Sequence, residues 1–291
     1  MARHSRLHFG FCFHFASRKL RNHQTISKTS IGNFKKINLM ETFVKTDSIV
    51  RQIWSDADCI LFIFGASAGE FAKSKSVDWL FFTGKLPNDP IGRLFSTVVY
   101  AQKIIFEKKS SAEKTLKNMK IIHKNVENDR GFSIPNWAYQ DVLFMLVAHT
   151  ISAYELLHRT LSDDEKNEIY DVFSRVGLQM GIENLPENFV EWQVQRQAHL
   201  HQNYANSKLT MELFDAYRKH LGSLRFSILL AVQDMLLPKE LKKANNEYEI
   251  LDLSTLTKLY KHTKNLWPVS QLKFYLLPMQ YRKMLRGLHR K

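Results

Sequence analysis

The chain has 291 residues, 44% hydrophobic and 24% charged, which excludes global disorder and leaves ample material for a core. Only 11 Gly and 7 Pro interrupt it, which favours long helices over a turn-rich β architecture, and so an all-α fold, a single multi-helix domain. The net charge of +14 invites a nucleic-acid reading, but eight of those charges precede Glu41, the first acidic residue, so no specific nucleic-acid partner is expected.

In chain order, residues 1–39 form a basic, Arg-, Ser-, His- and Phe-rich extension. It reads either as an organelle presequence or as sequence translated upstream of Met40; without import, the location expected is the cytoplasm. From Met40 onward, apolar periodicity near 3.6 predicts helices over 44–54, 59–75, 91–107, 111–127, 139–159, 163–180, 187–206, 210–236, 253–262 and 270–288. Asp89-Pro90 reads as an N-cap with proline at the first helical position. Ser162-Asp-Asp-Glu165 reads as a capping box. Ile60–Phe64 is the one apolar run where a strand rivals a helix. Residues 40–237 make the body, and Leu237-Pro238 divides it from a helical tail, 238–291, packed on the domain. No stretch approaches the roughly 20 apolar residues of a membrane span. The Phe/Leu-rich end, Leu272–Arg290, packs as a terminal helix or makes a peripheral membrane contact.

Several residues carry potential chemistry. Cys12 and Cys59 lie too far apart for a disulfide framework or a Cys-based zinc site. No Cys-x-x-Cys-His occurs, so any haem would be held without covalent attachment. Val142–Ala148 is apolar on every face and predicts a helix through the core, with His149 directly after it. A buried imidazole needs a hydrogen bond or a metal, and from composition alone the hydrogen bond is the plainer reading. Glu155-x-x-His158 resembles half of a di-iron carboxylate site but has no second copy, and Glu155 beside Arg159 reads as an exposed pair. His199 and His201 point about 200° apart on a helix and read as solvent-facing. Gly65-x-Ser67-x-Gly69 matches a nucleophile elbow, yet no sheet exists to hold one, so close helix packing is preferred.

The succession of motifs is similar to that of the rubber oxygenase/ER-bound oxygenase mpaB family. Asp47-Ser-Ile-Val-Arg51-x-Ile-Trp54-Ser-Asp56 and Phe64-Gly-Ala-Ser-Ala68 resemble the family's entry. Asp89-Pro-x-x-Arg93-Leu-x-x-Thr97-x-x-Tyr100 resembles its "DP-x-x-RL" helix. Lys120-x-x-His123-x-x-Val126 resembles its "R-x-x-H-x-x-V" helix, with lysine replacing arginine. Leu143 to Thr150, Leu161 to Tyr170 and Gly177-x-x-x-Gly181-Ile182-x-x-Leu185-Pro186 complete a match over 46–237. The resemblance implies haem b in a globin-like helical core, with His149 as iron ligand, and dioxygen-dependent cleavage of an apolar, isoprenoid-type substrate. It implies Arg93 and Thr97 as further cofactor-binding residues and Lys120 and His123 as catalytic ones, His123 orienting dioxygen or taking the sixth iron position. Glu107 and Glu113 are candidate general bases, or solvated helix charges. The alternatives are a non-catalytic helical domain binding an anionic partner (a lipid surface or nucleic acid) and the di-iron carboxylate protein.

Overall fold

Asp89 and Pro90 start a helix as their chemistry dictates. The Asp89 carboxylate accepts from the Gly92 N–H, and Pro90 takes the first helical position, where its missing N–H costs nothing. Ser162 and Glu165 likewise close the expected capping box, each side chain accepting from the other residue's backbone N–H. The computed structural model describes residues 42–242, 252, 254–263, 277–279 and 282, all within one unit, Met40–Lys291. The extension 1–39 and most of the helix expected over 270–288 lie outside the described residues.

The helices are α1 Ile49–Ser55, α2 Ala57–Lys73, α3 Val77–Phe82, α4 Lys85–Asn88, α5 Pro90–Phe106, α6 Lys109–Arg130, α7 Asn136–Leu157, α8 Asp163–Met180, α9 Phe189–Gln202, α10 Lys208–Leu221, α11 Ser223–Leu236, α12 Lys239–Lys242 and α13 Ser254–Thr263. Two isolated bridges, Thr42–Lys108 and Ser74–Tyr204, are the β pairings among the described residues. Ile60–Phe64 is helical, inside α2. The long helix expected over 210–236 is two helices, because Gly222 adopts φ 76° and ψ 162° between them. That backbone region is open essentially to glycine alone.

α7 is the axis of the domain, flanked by α2, α8, α9 and α11. Phe144 and Val147 are fully buried there, each contributing roughly 1.5–3 kcal/mol of transfer free energy. α2 lies close to its neighbours because its inward residues are small: Ala66, Ala68, Gly69 and Ala72 are all buried. A Cβ on Gly69 would sit 2.5 Å from the side-chain amide carbon of Gln233 on α11. The Gly-x-Ser-x-Gly motif is therefore a packing seam. α5 and α6, joined by residues 107 and 108, form a helical hairpin against this core.

Candidate functional site

Three of the residues singled out by sequence meet in the α5–α6 hairpin. Arg93 and Thr97 are one turn apart on α5, and Arg93 Nη1 donates to Thr97 Oγ1 at 2.9 Å and to Ser96 Oγ at 3.2 Å. Burial pulls Arg93's basicity down, while the nearby phenols of Tyr100 and Tyr217 oppose that pull. His123 faces this group from α6. Burial, and then the positive charge of Arg93, hold its imidazole below the ordinary histidine value against the weaker pull of Glu127. Its ring packs against Tyr139 at 5.3 Å between centroids, and Tyr139 donates to Glu127 Oε1 at 3.4 Å. His123 Nδ1 is buried with no hydrogen-bond partner. A neutral imidazole with an uncommitted buried nitrogen is a ligand-competent group, and Arg93 beside it suits a carboxylate of a bound cofactor.

Lys120 lies one turn before His123, but its head reaches the end of α8, with Nζ 3.2 Å from where a Cβ of Gly181 would stand. Glu107 caps the end of α5 and accepts from the Ser111 hydroxyl, and Glu113 is exposed. Neither carboxylate joins the Arg93–His123 group.

His149 has other company. Its Nε2 lies 3.0 Å from Glu70 Oε2, and both side chains are sealed from solvent, at 1% and 0% exposure. Glu70 Oε1 in turn lies 2.5 Å from Arg196 Nη2 and accepts from Tyr204 OH at 2.9 Å. Burial alone would raise the Glu70 carboxyl, but the charge of Arg196, then the bond and charge of His149, bring it down to about 2. Burial works against the Arg196 charge, yet Glu70 raises it above the ordinary value. Buried Lys73 donates to the Leu241 carbonyl at 2.6 Å, and burial lowers it to about 8 despite Glu70. Nε2 thus has the hydrogen bond of the plainer expectation for His149, while its Nδ1, like that of His123, is buried with no hydrogen-bond partner. The Tyr139 ring that packs on His123 lies ten residues earlier on α7, roughly 15 Å along the helix.

Two further expectations are corrected. His199 is not solvent-facing: it is buried, with Nδ1 2.6 Å from Asp141 Oδ1, which also accepts from Asn203. Glu155 does not pair with Arg159. It binds Lys166 at 3.1 Å and accepts from the Leu161 N–H, while Arg159 makes a two-pronged contact with Glu165. His158, the other half of that motif, bonds Asp56.

α2, α5 and α11, with Leu221 at the end of α10, line a half-open apolar cavity of about 110 Å³. Ile91, Leu94, Phe95 and Val98 line it from α5, at helical spacing, whereas Arg93, Thr97 and Tyr100 centre roughly 145° round that helix, on its far side. Arg225 is the one charged side chain in the described lining.

The family model described as "ER-bound oxygenase mpaB/B'/Rubber oxygenase, catalytic domain" matches residues 65–237, more than half of the chain. The chain belongs to that family. The match spans every motif from Asp89 to Pro186 and begins after the Asp47–Asp56 segment. No curated protein and no solved structure matches the chain. The family's description makes this mpaB-type domain an oxygenase relative, built here entirely of helices among the described residues.

Sequence reasoning on this mpaB-type domain missed Glu70, Arg196, Tyr204 and Asp141. One signal was available: Glu70 is the only charged residue between Cys59 and Ala72, so a lone carboxylate in an apolar helix announced a buried partner.

Proposed function

We propose that the chain is a haem b-dependent oxygenase that uses dioxygen to cleave an apolar, isoprenoid-type substrate. The observation that carries this reading is the grouping of Arg93, Thr97 and His123 in a chain that belongs to a family of oxygenases. Bound haem would supply the iron chemistry by which dioxygen is activated.

The rest falls to this chain's own side chains. His123, held neutral by burial and by Arg93, offers its nitrogen to iron; Arg93 offers its guanidinium to a propionate carboxylate, and Thr97 fixes where that guanidinium points. The Tyr139 ring sets the plane of His123. Of the two imidazoles, His123 suits iron better than His149. Each has a buried Nδ1 with no hydrogen-bond partner, but the guanidinium near His149, that of Arg196, is tied to Glu70, whereas Arg93 beside His123 bonds only hydroxyls among the described contacts. His149 in this reading holds α7 to α2, and Lys120 sits at the margin of the site. The apolar cavity on the other side of α5 has a lining suited to hydrocarbon.

Dioxygen uptake tests this. The full chain, loaded with haem and incubated in air with a detergent-dispersed polyisoprenoid such as squalene, is expected to consume dioxygen and yield carbonyl-ended fragments. Haem-loaded protein that yields no such products from any isoprenoid chain length would overturn the reading.

A further inference from the structure

We propose that Asp56, Cys59 and His158 form a site for a divalent transition metal of the zinc class, tying the start of α2 to the end of α7. Asp56 Oδ2, Cys59 Sγ and a ring nitrogen of His158 lie within 4.8 Å of one another. The sequence seemed to rule out any cysteine-based zinc site, because it offers no second cysteine nearby. The fold supplies the missing ligand types from another helix, 99 residues away.

Each donor is already oriented. Asp56 is the N-cap of α2; one carboxylate oxygen accepts from the Asp58 N–H at 2.8 Å, which leaves Oδ2 turned toward His158 Nε2, also at 2.8 Å. The His158 ring stacks on Tyr154, with centroids 4.6 Å apart and planes 12° from parallel. Cys59 follows Asp56 by three residues, so both stand on one face of α2. A cap hydrogen bond and an aromatic stack thus do the work of outer-shell partners. Cys59 is buried, while the side chains of His158 and Asp56 are 29% and 22% exposed, which leaves an entry path for an ion.

The donor set selects the metal class. One thiolate sulfur, one imidazole nitrogen and one carboxylate oxygen are the three-ligand set of a tetrahedral zinc site with one open position. Hard ions such as magnesium or calcium would take oxygen donors instead. A thiolate and a carboxylate balance the two charges of the ion, so the occupied site is neutral. Uptake transfers the Cys59 thiol proton to solvent and involves no redox change. The Asp56–His158 contact must open from 2.8 Å to roughly 3.3 Å, the ligand–ligand edge for bonds near 2.0–2.1 Å. An Asp–His pair tying two helices would need no sulfur beside it; the sulfur within reach of both is what points to a metal. The site lies roughly 28 Å along α7 from Tyr139 and the His123 group, so it stands apart from the haem reading.

Cobalt(II) is the probe. Full-length protein stripped with chelator is expected to bind one equivalent, with a sulfur-to-cobalt charge-transfer band in the near ultraviolet and tetrahedral visible bands, all displaced by zinc. Cys59→Ser should abolish the charge-transfer band and Cys12→Ser should leave it. His158→Gln should weaken binding about tenfold or more while keeping the sulfur band at high cobalt. Helical circular dichroism reports that each variant is folded, and should Cys59→Ser be misfolded, His158→Gln decides. Folded wild type that takes up no stoichiometric metal, a band that survives Cys59→Ser, or unchanged affinity in His158→Gln would each overturn the site. None of these readouts depends on haem.

Discussion

Glu70 is held by three side chains at once: His149, Arg196 and Tyr204. A buried ion pair of this kind gives little net stability, but breaking it leaves a charge with no water and no partner. Glu70→Gln should therefore cost about 3–5 kcal/mol in urea unfolding, chiefly by stranding the Arg196 guanidinium. The pH dependence has a definite sign. The Glu70 carboxyl is lowered from 4.5 to about 2 in the folded state, so its contribution is fully present above pH 4.5 and is lost as pH falls toward 2. Glu70→Gln should flatten the wild-type stability curve in that window; an unchanged curve would mean the carboxylate is not ionised in the fold. The burial of His149 was legible, because an apolar helix surrounds it. Its partner was not, since Glu70 lies 79 residues earlier and only tertiary packing brings the two together. His199 was misread for the same reason: helical spacing gives an angle about an axis, not the neighbour waiting on that side. Arg93, Thr97 and His123 were legible only through the ordered motifs.

Elements were read more securely than partners. α8 starts and ends where its capping box and Gly181 place it, and α5 starts one residue from expectation. These signals are local and survive any packing. Short helices α3 and α4, between Lys73 and Asp89, escaped because fragments of six and four residues carry too little periodicity to register. The division of α10 from α11 escaped because an isolated glycine in a helical pattern is ordinarily tolerated. Gly222 offers a clean test. A Cβ there would meet nothing within 4 Å, so any cost of Gly222→Ala is backbone strain alone. The expected loss is about 1–3 kcal/mol by chemical denaturation, with the helical spectrum unchanged. A neutral effect would show that the two helices tolerate a different hinge.

At the scale of the whole molecule, the scarcity of Gly and Pro favoured helices over β architecture, the 3.6-residue periodicity placed them, and the body of the described residues is helical. The apolar cavity was not legible, because a void is the space that packing leaves and no residue pattern announces it. No described helix is long and apolar enough to cross a membrane. The proposed chemistry turns on which imidazole meets iron. The decisive measurement is the absorption spectrum of the full chain expressed with haem, compared with His123→Ala and His149→Gln, each verified as folded. The account predicts a Soret band in the wild type that persists in His149→Gln and is lost or shifted, with at least tenfold weaker haem retention, in His123→Ala. A Soret band untouched by His123→Ala but abolished in folded His149→Gln would contradict it, and would return the iron to the core histidine.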